Sequence, residues 1–172
     1  MSDSAAADSV IRAFEVQKDI EKVRPNNAFI SERLKQVRRT LKTATEITDD
    51  PGSQLILAYD AMRGALEALL NLDGYRVPNK PGGHRTTIAY ARARLGDAVP
   101  EGFFDVMSGL REVRHTVEYP NPELAVPAGP TPGDGMKACQ VAAKTIQVVT
   151  EEIKRSAQGK RPAGEQGPAA ST

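Results

Sequence analysis

The chain has 172 residues, 40% of them hydrophobic and only 5% aromatic, and its 23 Lys+Arg against 22 Asp+Glu leave a formal charge of +1. That is enough apolar material for one core of Leu, Ile, Val, Ala and Met. It is too little net charge for bulk electrostatic capture of a polyanion, although a local basic stripe is compatible with one. A single cysteine, Cys139, excludes an internal disulfide framework, and with only His84 and His115 beside it a structural zinc site lacks ligands. No metal and no cofactor is expected. No apolar run approaches the ~20 residues of a membrane span, and MSDSAAADSV lacks the basic and apolar regions of a secretory signal. The expectation is a cytoplasmic protein with no membrane partner.

Residues 1–9 carry no apolar pattern and are expected to be disordered. Val10, Ile11, Phe14 and Ile20 give a modest apolar edge up to about Val23, where RPNN breaks the helix because Pro restricts itself and its predecessor. Phe29, Ile30, Leu34, Val37, Leu41 and Ile47 then recur at helical spacing, with Asn27 as the expected cap. The opposite face, Arg33, Lys35, Arg38, Arg39 and Lys42, is a basic stripe that reads first as solvated and second as a phosphate-binding surface. TDDPGS is a turn. After it Leu55, Tyr59, Met62, Leu66 and Leu69 form the longest apolar seam, closed by Gly74 in the left-handed conformation that ends such helices. VPNKPGG leads into HRTTIAYARARLGD, a shorter helix closed near Gly96; its Gly82-Gly83 start suits an anion but lacks the Gly-Lys-Ser/Thr ending of a nucleotide loop, and His84 reads as a cap-region residue rather than a ligand or base, with an approach to a dimer cleft as the alternative.

From about Glu101 to Tyr119 Phe103, Val106, Leu110, Val113 and Val117 share one face, with Met107 at its margin, and PNP stops the helix. Residues 120–135 form a proline-rich loop. A last helix from about Gly135 to Arg155 places Met136, Cys139, Ala143, Ile146, Val149 and Ile153 on one side, Cys139 as a small hydrophobe. Nothing alternates with period two over a useful length. The expected architecture is all-α, an up-and-down bundle of four to five helices over residues 10–155, followed by a disordered tail at 156–172.

The stretch GLREVRHTVEYP concentrates the chemistry. Arg111, Arg114, His115 and Glu118 lie three, four or seven residues apart and share a face beside the apolar stripe. The plain reading is a set of solvated ion pairs. The functional reading is work on phosphate, since Arg offers a planar fork to phosphate oxygens and His titrates near neutral pH and moves a ribose 2′-OH proton. Asp60, beside the apolar seam of the long helix, either orients Arg114 or is solvated.

LAYDAMRGALEALLNLDGYRV, GGHRTTIAYARARLG and LREVRHTVEYP together resemble the HEPN superfamily, in particular its small bacterial stand-alone members. The resemblance covers roughly residues 29–155 by helix order, with its sequence content mainly in 54–119. It implies an HEPN-like α-helical bundle, usually a homodimer, tied to toxin–antitoxin systems, defence and RNA processing, in which many members are metal-independent endoribonucleases. Arg111 stands one residue closer to His115 than the family's Arg–His spacing. A second alignment puts Arg114 at the family arginine, His115 at its polar neighbour, and Glu118 and Tyr119 where some small members carry an acid and a Tyr. The resemblance thus implies Arg114 and His115 as catalytic residues, Arg111 as substrate-binding, and Glu118, Tyr119 and Asp60 as support. RNA and an antitoxin protein are the implied partners. The alternative is a non-catalytic HEPN-like module binding RNA, a nucleotide or a protein.

Overall fold

Six α-helices carry the fold in the computed structural model, which describes residues 3–119 and 129–159: α1 (Asp3–Val16), α2 (Asn27–Glu46), α3 (Pro51–Leu72), α4 (Gly83–Leu95), α5 (Phe103–Glu118) and α6 (Pro132–Gly159). The all-α bundle is as expected, with six helices among the described residues rather than four to five. Two strands of two residues each, β1 (Glu21–Lys22) and β2 (Tyr75–Arg76), pair antiparallel, Glu21 opposite Arg76. They are too short for any period-two pattern to register. No helix among the described residues is long and apolar enough to cross a membrane.

Both helix ends of the chain correct the expected boundaries. Helix α1 begins at Asp3, not after residue 9, because its Ala-rich start favours helix without offering an apolar face to detect. It also stops at Val16 instead of running to Val23, and Lys18 takes a left-handed conformation (φ 56) just beyond. At the other end α6 continues through Ser156, Ala157 and Gln158 to Gly159, so the first residues of the expected tail are helical. Residues 160–172 and the proline-rich 120–128 lie outside the described set.

Local chemistry explains the better-defined starts. Asn26, one residue before the expected Asn27, caps α2 by accepting from the Phe29 amide at 3.0 Å. Asp50 caps α3 through the Ser53 amide at 3.0 Å, with Pro51 in the first turn where its missing N–H costs nothing. Gly74 ends the helix with φ 86, as the sequence suggests.

Helix α3 is the hub. It packs against α2, α4, α5 and α6 and buries Leu55, Ala58, Met62, Ala65, Leu66 and Leu69 essentially completely. Gly64 lets α2 come close: a Cβ there would meet Val37 Cγ1 at 2.6 Å and the Arg33 guanidinium at 3.1 Å. A satellite cluster of Ile20, Leu70 and Tyr90, with Ile11 and Phe14 of α1, joins the N-terminal segment to α4. Asp73 beyond the end of α3 accepts from Tyr90 Oη at 2.8 Å and Arg94 Nε at 3.1 Å, and Arg94 also reaches buried Glu152 of α6 at 3.4 Å. Burial pushes the Tyr90 phenol far above its ordinary range, so it stays a donor to Asp73. Cys139 is buried and packs as a small apolar group, its thiol pushed up by that burial.

A cationic cleft between helices α3, α4 and α5

The buried face of α5 is rotated from the expected one. Phe104, Met107 and Leu110 are buried, while Phe103, Val106, Val113 and Val117 are only partly so. Arg111, Arg114 and Glu118 continue the Phe104–Met107 line toward the C-terminal end, so this polar stripe turns inward. Arg114 and Arg111 leave only 14% and 17% of their side chains exposed.

Arg114 is held on three sides. Its Nη1 lies 2.7 Å from Glu118 Oε2 one turn on, its Nη2 lies 3.4 Å from Asp60 Oδ1 on α3, and its guanidinium sits 5.2 Å from the Tyr59 ring centroid. Asp60 is therefore engaged rather than solvated. On α3 Arg63 pairs with Glu67 at 2.7 Å and stands 4.0 Å from Asp60, and Arg33 of α2 reaches the other Glu67 oxygen at 2.5 Å. Arg33, Arg63 and Arg114 thus interleave with Asp60, Glu67 and Glu118, three charges of each sign. The lattice is close in charge and imperfect in alignment: Nε of all three arginines, Asp60 Oδ1 and Glu118 Oε2 are buried without a well-directed hydrogen bond.

Beside this lattice opens a cleft of about 830 Å³, within the usual range for ligand sites. Arg111 and His115 of α5 line it, together with Arg63 and Glu67 of α3, His84, Arg85 and Thr87 of α4, and Gly82 and Gly83 at the start of α4. Arg24, Phe29, Tyr75, Arg76 and Lys80 complete the charged and aromatic part of the wall. Arg114 is not among the lining residues; it sits behind, in the lattice. Tyr119 is 67% exposed, with its ring 5.2 Å from that of His115 in a tilted stack.

Among the described residues Glu67 is the only carboxylate lining the cleft, and two guanidinium groups already share it. Arg76 pairs with Glu21 at 2.8 Å and Lys80 with Asp19 at 2.5 Å, the latter also donating to the Lys18 carbonyl. Arg111 pairs with its exposed neighbour Glu112. Arg24 and Arg85 have no ion-pair partner among the described residues. Gly82 (φ 90) supplies no side-chain cap to α4, so the helix start adds partial positive charge to the same cleft.

Burial, helped by Arg63 and Arg114, holds the His84 imidazole below its ordinary range, against the pull of Asp60 and Glu67. Burial likewise pushes the Tyr59 phenol up to about 12, despite Arg114, Arg111 and Arg63 nearby. A neutral imidazole and surplus guanidinium groups in one concavity suit an anionic ligand that carries exchangeable protons. The α2 stripe is different: Lys35 and Arg39 pair with Glu32, Lys42 with Glu46, and Arg38 bonds Thr150. Among the described residues no three His, Cys, Asp or Glu side chains converge as metal ligands.

The sequence pointed to Arg111 and His115, which the fold brings together in the cleft, and to Asp60, Arg114 and Glu118, which it brings together behind it. It gave no weight to Arg24, Arg63 or Arg85. Its one signal for the α4 side of the cleft wall was the Gly82-Gly83 helix start, and His84 beside it read first as a cap-region residue and second as one able to approach a dimer cleft. Compared with known protein families, with curated proteins and with solved structures, the chain gives no match.

Proposed function

We propose that the chain is an HEPN-like protein acting on RNA, a toxin- or defence-type metal-independent endoribonuclease whose cleft holds the sugar–phosphate backbone. The observation that carries this reading is the charge of the cleft. Arg24, Arg63, Arg85 and Arg111 line it with two histidines, and Glu67, its one carboxylate among the described residues, is already neutralised. A near-neutral chain has gathered its surplus cations at one concavity, the electrostatic footprint of a polyanion site.

In this reading Arg111 binds the scissile phosphate and His115 moves a proton, while Arg114, fixed by Asp60 and Glu118, positions the end of α5. The cleavage is attack by the ribose 2′-OH, a reaction that needs proton transfer and charge stabilisation from the protein. The resemblance supplies the rest of the proposal: a cytoplasmic homodimer neutralised by an antitoxin protein.

A second reading, an HEPN-like module that binds RNA or a nucleotide without cutting it, is favoured by one observation. The arginine aligned with the family's, Arg114, is engaged on three sides and does not line the cleft. Incubation of total RNA and tRNA with the purified chain in excess EDTA separates the two. Cleavage lost in Arg111→Ala and His115→Ala supports the nuclease. Intact RNA, with labelled RNA still bound by the wild type and released by Arg111→Ala, supports the module. Neither cleavage nor binding sinks both.

A further inference from the structure

The chain has two histidines, and both line the same cleft: His84 from the first turn of α4 and His115 from the last turn of α5. The His84 ring lies tilted against Tyr59 with centroids 5.9 Å apart, and Tyr59 is 1% exposed and locked in the core, so the imidazole has a fixed backing. The charged groups around it are Asp60, Arg63 and Glu67 on α3 and Arg114 on α5. Half-burial and the two arginines outweigh the two carboxylates and keep the ring neutral near pH 7, with a lone pair available.

Cleavage of a phosphodiester by its own 2′-OH needs one group to take a proton and another to give one. Two titratable groups in unlike surroundings within one cleft are how a fold divides those tasks. His84 is half-buried between helices, whereas His115 is exposed. We propose that His84 is a second catalytic residue, the general base for the 2′-OH, with His115 in the same cleft as general acid. This rests on the RNA-cleaving reading of the cleft. The step balances: His84 takes the 2′-OH proton, the O2′–P bond forms, the P–O5′ bond breaks, and the His115 imidazolium protonates the departing 5′ oxygen. The products are a 2′,3′-cyclic phosphate and a 5′-hydroxyl, and exchange with water returns both rings to their starting states.

The test is steady-state cleavage of a short single-stranded RNA by the full chain in EDTA over a range of pH. Wild type is compared with His84→Ala, His84→Gln and His115→Ala, on the ordinary substrate and on one whose scissile 5′ oxygen is sulfur, a leaving group that needs no acid. Both His84 variants are expected to lose about 100-fold or more in kcat on either substrate, with KM little changed and the acidic limb of kcat/KM gone. His115→Ala is expected to recover on the sulfur substrate alone. His84 variants that keep their helical circular dichroism and cleave at the wild-type rate and pH profile overturn the assignment and leave the nuclease standing. So does a wild-type profile without an acidic limb, which needs no variant. Wild type that leaves RNA intact at every pH overturns both.

Discussion

The charge of the cleft predicts how binding responds to salt. Among the described residues Arg24 and Arg85 of its wall have no carboxylate partner and Arg111 has only the exposed Glu112, whereas Arg63 is held by Glu67, Lys80 by Asp19 and Arg76 by Glu21. Each phosphate neutralised on a single strand contributes about −0.7 to the slope of log Kobs against log salt, so these three contacts predict a slope of about −2. Raising salt fourfold, from about 50 to 200 mM, then weakens binding ~20-fold. Arg85→Ala should shrink the slope by about 0.7. Lys35→Ala on α2, where Lys35 pairs with Glu32 at 3.6 Å outside the cleft, should leave it unchanged. Fluorescence anisotropy of a labelled single-stranded RNA over a potassium chloride series measures all three. A slope near zero, or one that responds to Lys35→Ala and not to Arg85→Ala, refutes the assignment of the cleft as the RNA surface.

Gly64→Ala should destabilise by about 1–2 kcal/mol: the 2.6 Å approach to Val37 puts the overpacking cost in the upper part of its range, about 2–3 kcal/mol, less the ~1 kcal/mol helix propensity gain. Gly109→Ala, with open space around its Cβ, should stabilise by about 0.5–1 kcal/mol; urea unfolding at one protein concentration checks the opposite signs. Arg114→Gln should lower thermal stability by several degrees, since it leaves Asp60 and Glu118 without their shared cation, yet leave the salt slope of RNA binding as in the wild type. A slope reduced as by Arg85→Ala would instead return Arg114 to the cleft. His84 sets a pH dependence whose sign follows from its lowered value. As pH falls through about 6.5 the unfolded chain binds a proton that the folded chain refuses, so stability drops until the folded imidazole also titrates. His84→Gln should flatten that slope in thermal unfolding between about pH 7 and 5; an unchanged slope means another group carries it.

Helix order was legible in the sequence because apolar spacing marks α2, α3, α5 and α6, and Gly74 and TDDPGS announce their turns; α1 and α4 carry weaker patterns, and six helices form among the described residues where four to five were expected. Facing was less so. The α5 stripe was placed on Phe103, Val106, Leu110, Val113 and Val117 by helical spacing, with the charged residues on the neighbouring face, and of these five only Leu110 is buried. Arg114 turns inward only because Asp60, fifty-four positions earlier in the chain, waits there with a charge to meet it. The cleft was illegible for the same reason: Arg24, Arg63, Arg85 and Arg111 are unrelated in spacing and become neighbours only when the ribbon of β1 and β2 and the loop before α4 close over the end of α3. Arg111 and His115 were found because they sit one helical turn apart on a single helix.

The empty space at Gly64 reaches further than packing. Arg33 can lie along α3 and clasp Glu67 only because nothing projects from Gly64 beneath it. Among the described residues Glu67 is the single carboxylate in the cleft wall, so an alanine methyl one turn away would crowd Arg33 and leave Glu67 with Arg63 as its one remaining cation. A hydrogen atom on α3 thus sets the voltage of a surface it never touches, and a mutational scan scored for stability alone would file Gly64 under structure and miss its second trade.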